Sequence, residues 1–224
     1  TLHNVILPPF KAAAEAEVAT FMNSFNELNG IPATGNSFLQ KDILKGDWNF
    51  KGFVVSDWGS IGEMIAHGYT KDLKSAAKSA ITAGCDMDMM SSAYILNLKS
   101  LVDKNQIKIN LIDDAVKRIL YLKYDLGLFK DPFRYCSEDR ENKNILNAQN
   151  RKISLDIAKE AIVLLKNDEN ILPLKKTGLK IALIGDLADD KDSPLGNWRA
   201  SGPKNSAISV LEAMEKVNKN ILVY

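Results

Sequence analysis

The chain has 224 residues, of which 46% are hydrophobic and 25% are charged, and its formal net charge is +1. This composition is too apolar for a disordered chain and too charged for a membrane protein, and the sequence has no apolar run long enough to span a bilayer. A net charge near zero also argues against a nucleic-acid-binding protein, because such proteins usually carry a basic excess on one face. The length allows one large domain or two small ones, each with a buried core.

The cysteines and histidines give no pattern of a metal or redox site. Cys85 and Cys136 are too few for a disulfide framework and are not spaced as C-x-x-C. Neither His3 nor His67 has a partner at a spacing typical of a zinc site or a hydrolytic triad. We therefore predict no metal and no cofactor. The sequence starts without Met and stops in an apolar, strand-like run, so we expect it to be part of a longer chain.

The first 127 residues alternate between strand-like and helical patterns. Strands are predicted at residues 18–25, 53–55 and 85–89, and helices at residues 36–45, 72–82, 93–102 and 110–126. Asn36 and Asn110 are predicted to cap the helices that follow them, and Asn29-Gly30 predicts a turn. In the last helix, Asp114 and Arg118 are spaced for an i,i+4 ion pair. This alternation is typical of a parallel α/β sheet or barrel.

The rest of the chain divides into a connector and a second unit. Residues 128–152 are rich in polar and charged side chains and are interpreted as an interdomain linker. In residues 153–224, patterning predicts a helix at 153–166, a strand at 181–184, a helix at 206–216 and a strand at 221–224. The last three elements form a predicted βαβ unit, so the second domain is also expected to be α/β.

The strongest candidate for chemistry is a carboxylate that directly follows a buried strand. Asp57 comes just after Phe53–Val55, and sites in α/β folds form at the carboxyl ends of strands. The aromatic ring of Trp58 could pack against the apolar face of a sugar. From the residues alone, an alternative remains open, in which Asp57 only caps the turn or helix that begins at Gly59.

Four further candidate residues lie in predicted strands or at their ends. Asp86 and Asp88 are predicted to point to the same side of their strand, where they could position sugar hydroxyls. The favoured interpretation is that both only satisfy buried polar groups, and no histidine or third acid accompanies them for a metal site. Met22 and Phe25, at the end of the first predicted strand, would by themselves be interpreted as core residues.

A set of short motifs occurs in a characteristic order. Together they resemble glycoside hydrolase family 3, and most closely its bacterial periplasmic β-glucosidases. The motifs are Leu7–Lys11, Met22–Asn26, Asn29–Thr34, Gly52–Trp58, Gly84–Met89, Val116–Lys123, Ala161–Asn167 and Leu172–Leu174. The resemblance implies an α/β fold in which residues 1–127 form the C-terminal part of a (β/α) TIM-like barrel. Residues 153–224 would then start an α/β-sandwich domain.

The same resemblance implies a retaining β-glucosidase in which Asp57 is the nucleophile. A retaining enzyme uses two carboxyl groups about 5 Å apart and forms a covalent glycosyl-enzyme. Met22, Phe25 and Trp58 match positions that line the family's glucose subsite, and we add Asp86 as a candidate for binding substrate. The family often has Tyr at the position of Phe25, so one hydroxyl is missing here.

The resemblance also predicts what residues 1–224 lack. The family's Lys-His pair would precede residue 1 and its general acid/base would follow residue 224, so this segment alone is expected to be inactive. The predicted partner is an oligosaccharide or β-glucoside, in the periplasm or outside the cell, and a homodimer is compatible with the family. Two alternatives remain open, which are a β-xylosidase of the same family and a sugar-binding relative without catalysis.

Overall fold

The computed structural model describes residues 1–223 and divides into two compact units, Thr1–Glu138 and Asp139–Tyr224. The first unit contains helices and strands in the order α1 (Leu7–Glu15), β1 (Thr20–Met22), β2 (Glu27–Leu28), β3 (Ile31–Pro32), β4 (Phe53–Val55), α2 (Ser60–Glu63), α3 (Leu73–Ala83), α4 (Ala93–Asp103) and α5 (Ile109–Asp125). It also has π-helices at Leu2–Ile6 and Phe38–Asp47 and a 3₁₀ turn at Ala33–Gly35.

Two parallel strands organise the first unit. β1 pairs with β4 from Thr20↔Phe53 to Met22↔Val55, and Val55 forms a further parallel bridge with Met87. Three segments therefore end side by side at one edge. The predicted strand at 18–25 is confirmed only over β1, and the strand predicted at 85–89 is reduced to this single bridge.

The core of the first unit lies between α3, α4 and α5. Helix α3 begins with a capping box, in which Asp72 accepts the N–H of Ser75 at 2.7 Å, and it ends at Gly84 with a φ of 108°. Its small side chains and residues from the neighbouring helices and loops are buried in one cluster: Ile61, Met64, Ala76, Ala77, Ala80, Ile81, Cys85, Ala93, Leu101, Ile107 and Ala115. Small residues allow the helices to approach closely, as in any well-packed interior.

Several predicted boundaries in the first unit need correction. The segment predicted as an α-helix at 36–45 is a π-helix over Phe38–Asp47, although Asn36 does accept the N–H of Leu39 at 3.1 Å. Asn110 does not cap α5, because the helix already begins at Ile109 and Lys108 is its N-cap residue. The turn at Asn29-Gly30 is confirmed, since both residues have positive φ and connect β2 to β3.

The second unit contains α7 (Ala148–Ala161), β5 (Ile181–Leu183), α8 (Val210–Glu215) and β6 (Ile221–Val223), and α6 (Glu138–Asn144) begins at the boundary. Three 3₁₀ turns add to these, at Asp168–Asn170, Asp186–Asp189 and Ser193–Leu195. β5 and β6 pair in parallel from Ile181↔Ile221 to Leu183↔Val223, and α8 lies between them in the chain. The predicted βαβ order is therefore confirmed, and Tyr224 lies outside the described residues.

The helices of the second unit are displaced from their predicted positions. The helix predicted at 153–166 is α7, which begins earlier because the Asn147 side chain accepts the N–H of Asn150 at 2.8 Å. It ends before Ile162, whose backbone is extended, as β-branched residues favour. The helix predicted at 206–216 is shortened to α8, because Ser209 caps it by accepting the N–H of Glu212 at 3.0 Å.

The mixed helix and strand content confirms an α/β protein at the level of fold class. Helical structure also occupies part of the segment predicted as a linker, namely α6 and the start of α7. Within residues 1–223, none of the helices has the length and apolar character needed to cross a membrane.

Candidate active site

The carboxyl ends of β1 and β4 place the predicted site residues along one edge. Asp57 follows the end of β4 by two residues, and Met22 ends β1 opposite Val55. The Asn23 N–H donates to the Val55 carbonyl at 3.0 Å and so continues the pairing beyond Met22. Parallel pairing therefore brings the segments that carry Met22 and Asp57 together although they are far apart in sequence.

Asp57 lies in a tight turn between β4 and α2. Its Oδ1 accepts the N–H of Trp58 at 2.6 Å, and its backbone carbonyl accepts the N–H of Ser60 at 3.1 Å. The turn continues through Gly59, which has a φ of 72° and is the N-cap residue of α2. Within the described residues, the Asp57 side chain bonds to the N–H of Trp58 and not to the first turn of α2, so it does not cap this helix, whereas its backbone carbonyl does stabilise the turn. Asp57 is half-buried, so part of the residue is exposed to solvent.

The apolar residues predicted to line a sugar subsite are exposed. Trp58 and Met22 are each 51% exposed, and Phe25 is 39% exposed. The interpretation of Met22 and Phe25 as core residues is therefore wrong for the described residues. Exposed apolar and aromatic side chains beside a half-buried carboxylate are suited to a ligand that has both apolar faces and hydroxyl groups.

Asp86 is buried and fully engaged in hydrogen bonds. Its Oδ2 accepts the N–H of Val54 at 2.8 Å and contacts Lys45 Nζ at 2.6 Å, while Oδ1 contacts Arg118 at 3.4 Å. The side chain is only 4% exposed. Asp86 therefore links β4 to the π-helix and to α5 through polar contacts.

Lys45 is the cationic partner that sequence reasoning missed. Burial lowers the pKa of Lys45, and the neighbouring Asp86 carboxylate opposes that shift by stabilising the ammonium form. Lys45 also donates to the Gly84 carbonyl at 2.6 Å. The predicted pairing of Arg118 with Asp114 did not indicate that Arg118 contacts Asp86, because i,i+4 spacing identifies only neighbours within one helix.

Asp88 has a structural role, as the favoured interpretation predicted. Its Oδ1 accepts the N–H of Ser91 at 3.2 Å, and its Oδ2 accepts the N–H of Tyr94 at 3.1 Å. Both donors lie at the start of α4, where backbone N–H groups have no partner within the helix. Asp88 thus fixes the segment that follows Met87 to the first turn of α4.

A second buried polar group supports the other side of the turn. The hydroxyls of Thr34 and Ser60 lie 2.9 Å apart, and Gln40 donates to the carbonyls of Ala33 and Thr34 at 3.0 Å each. Thr34, Gln40 and Ser60 are all buried. Sequence reasoning missed this group because single Ser, Thr and Gln residues are common on surfaces and carry no signal of burial.

Residues 1–223 contain no cluster of three or more His, Cys, Asp or Glu side chains arranged to hold a metal ion. Cys85 and Cys136 are both free thiols. Burial raises the pKa of Cys85 to about 12. Asp57 is a half-buried carboxylate next to the exposed Trp58, whereas Asp86 is buried.

Comparisons with known sequences identify both units. Residues 1–122 match the glycosyl hydrolase family 3 N terminal domain, and residues 162–220 match the glycosyl hydrolase family 3 C-terminal domain. A periplasmic beta-glucosidase of Salmonella typhimurium is 40% identical over 217 residues, which cover 96% of this chain and 28% of the relative. A beta-xylosidase of Formosa agariphila is 34% identical over 96% of this chain and 31% of its own length.

Solved structures agree with the sequence comparisons. The beta-glucosidase of Listeria innocua in complex with glucose matches with a TM-score of 0.77 and 40% identity, over 97% of this chain and 29% of that chain. A GH3 exo-beta-xylosidase matches with a TM-score of 0.74 and 30% identity, over 97% of this chain and 28% of that chain. The chain thus spans about 30% of the length of these relatives. The family match covers more than half of the residues and both units, and the chain belongs to glycosyl hydrolase family 3.

Proposed function

We propose that the complete gene product containing this chain is a retaining β-glucosidase and that Asp57 is its nucleophile. The observation that carries the proposal is the placement of Asp57, a half-buried carboxylate at the end of a parallel strand beside the exposed Trp58. Identity of 40% to a periplasmic beta-glucosidase supports glucose as the sugar.

The reaction follows from the chemistry of a carboxylate at an anomeric centre. Asp57 Oδ attacks the anomeric carbon, the bond to the aglycone oxygen breaks, and that oxygen takes a proton from a general acid. Water then gives a proton to the same group, now a base, and attacks the anomeric carbon, which releases the sugar and regenerates the Asp57 carboxylate. Two inversions at one carbon retain the β configuration. We propose that the general acid/base comes from sequence outside residues 1–224.

Four residues are proposed to serve the substrate. Met22, Phe25 and Trp58 offer exposed apolar surface along the same strand edge as Asp57. Direct contact between Asp86 and a sugar stays a prediction. The bonds that Asp86 forms with Val54 N–H and with two cations favour a different contribution, in which it holds β4 in place.

The finer fold and setting are also proposals. We infer that residues 1–127 form the later part of a (β/α) barrel, that residues 128–152 are a linker, and that residues 153–224 begin an α/β-sandwich domain. The parallel order β1, β4 and Met87, with helices between them, supports the first inference, and the β5–α8–β6 order supports the last. The similarity to a periplasmic beta-glucosidase supports a periplasmic location.

The proposal is tested with an Asp57→Ala variant of the complete gene product. We expect the wild type to hydrolyse an aryl β-glucoside faster than an aryl β-xyloside, and the variant to lose activity by at least about 10³-fold. Azide should restore turnover of the variant and give an α-glucosyl azide, because one inversion then replaces two. Asp42→Ala, which removes an exposed carboxylate from the π-helix of the same unit, should keep wild-type activity.

Three results would redirect the proposal. Faster hydrolysis of the xyloside would favour the β-xylosidase that the 34% identical relative suggests. Sugar binding without turnover by a folded wild type would favour a non-catalytic relative. An Asp57→Ala variant that is as active as the wild type would refute Asp57 as nucleophile. Residues 1–224 expressed alone are expected to be inactive, because they span about 28% of the beta-glucosidase they resemble.

A further inference from the structure

The turn that carries Asp57 is held against residues 86–89 by hydrogen bonds on both sides of Asp57. Before it, the Val54 carbonyl accepts the N–H groups of Asp86 and Met87 at 2.8 and 3.0 Å. After it, the Gly59 N–H donates to the Met89 carbonyl at 2.8 Å. The nucleophile thus lies in a short loop whose two ends are fixed to the same neighbouring segment.

Ser56 supplies the bonds nearest to Asp57. Its N–H donates to the Met87 carbonyl at 2.9 Å, and its Oγ accepts the N–H of Met89 at 2.7 Å. The same hydroxyl donates to the backbone carbonyl of Asp57 at 3.1 Å. Ser56 is fully buried, with no exposed surface. Its hydroxyl therefore continues the parallel pairing at the point where the backbone leaves β4 to form the turn.

We propose that Ser56 is a positioning residue for the nucleophile. Its buried hydroxyl holds the Asp57 backbone at a fixed distance from residues 87–89, so the carboxylate emerges in one orientation. The inference rests on the proposed function, because it concerns the geometry of the proposed attack. Loss of the hydroxyl would leave the Met89 N–H without a partner and free the Asp57 carbonyl, and the loop would then sample more positions.

The chain offers a matched control in the second unit. Ser209 is also buried, at 1% exposure, and its hydroxyl also donates one bond and accepts one. It donates to Asp189 Oδ1 at 2.7 Å and accepts the N–H of Glu212 at 3.0 Å. Ser56→Ala and Ser209→Ala therefore remove the same chemical group from equally buried sites. They differ in their partners, because Ser56 bonds to the backbone on either side of the turn that carries Asp57, whereas Ser209 caps α8 and donates to a carboxylate.

The test uses the complete gene product and measures the rate at which a 2-deoxy-2-fluoro-glucoside inactivates it. We expect Ser56→Ala to reduce the second-order inactivation rate by roughly 10- to 100-fold, since small displacements of reacting groups have effects of this size. The value of kcat for an aryl glucoside should fall more than KM rises. Ser56→Cys nearly keeps the side-chain volume but forms a weaker hydrogen bond, so its inactivation should also be slowed at least tenfold. This variant provides the test if Ser56→Ala does not fold. Ser209→Ala should inactivate at the wild-type rate.

Hydrogen exchange separates this proposal from the proposed function. In Ser56→Ala, peptides covering residues 57–60 and 89 should lose protection while α3 keeps it, whatever the activity of the protein. Ser56 variants that inactivate within twofold of the wild type, or a Ser209→Ala variant that is slowed equally, would overturn the positioning role. A wild type that is never labelled would instead overturn the proposed function, and with it the nucleophile that Ser56 is proposed to position.

Discussion

The buried ion pair between Lys45 and Asp86 allows a quantitative prediction. Their side chains are 12% and 4% exposed, and the Nζ–Oδ2 distance is 2.6 Å. Asp86→Asn keeps an oxygen that can accept from the Val54 N–H and from Lys45, but it removes the negative charge. Lys45 then keeps a buried positive charge with only neutral acceptors, including the Gly84 carbonyl, to stabilise it. Breaking a buried pair in this way typically costs about 3–5 kcal/mol, and we expect the lower end because one carbonyl bond remains.

An exposed pair in the same unit provides the control. Lys99 and Asp103 also lie 2.6 Å apart, but their side chains are 88% and 56% exposed. Asp103→Asn should therefore change the free energy of unfolding by less than about 1 kcal/mol. In the complete gene product, thermal unfolding should show a clearly lower Tm for Asp86→Asn than for Asp103→Asn. Equal Tm values for the two variants would refute the argument from burial.

The pH dependence of the Asp86→Asn effect has a definite sign. Burial already lowers the pKa of Lys45, and removal of the carboxylate, which raises it, should lower it further. A lysine with a lowered folded pKa binds fewer protons in the folded than in the unfolded state, so stability increases as pH rises towards 10.5. The loss of stability in Asp86→Asn should therefore be smaller at pH 9.5 than at pH 7. A loss that grows with pH would contradict the assignment.

Three further predictions concern single residues. In the folded protein, iodoacetamide at pH 8 should label the exposed Cys136 but not the buried Cys85, whose pKa is about 12. Peptide mass spectrometry should show Cys85 labelled only after denaturant is added, and labelling of both thiols at equal rates would contradict the structure. Asp72→Ala should lower Tm by about 2–4 °C because it removes the capping box of α3, and an unchanged Tm would show that the cap contributes little. Gly52→Ala should prevent soluble expression, because the added Cβ would lie 2.0 Å from the Ala19 backbone carbonyl oxygen. A stable, soluble variant would show that the backbones of Gly52 and Ala19 are not this close.

The sequence predicts the elements that depend on local patterning. The apolar run Phe53–Val55 is a strand as predicted, and the helix predicted at 72–82 is found as α3 with Asp72 at its cap. Errors concentrate where a helix begins. The side chain of Asn147 caps the start of α7, and that of Ser209 caps the start of α8. Several similar residues lie near each of them, so the sequence alone does not show which one is the cap.

The candidate site is only partly accessible to sequence reasoning. The placement of Asp57 directly after a buried strand could be predicted, because the apolar run before it is visible in the sequence, while its role as nucleophile stays a prediction. The partners Lys45 and Arg118 of Asp86 could not, since they lie 41 and 32 residues away in the chain and meet only in the folded state. The buried role of the Ser56 hydroxyl was equally hidden, because a serine next to a site residue usually signals a turn.

Covalent trapping of the nucleophile tests the central claim most directly. The complete gene product is treated with a 2-deoxy-2-fluoro-glucoside, digested, and mapped by mass spectrometry, and the xylose reagent is tried in parallel. We expect one label per chain, on the peptide that contains Asp57, and no label on the Asp57→Ala variant. Label on a different carboxylate, or no label with either reagent on a folded protein, would contradict the assignment of Asp57 as the nucleophile of a retaining glycosidase.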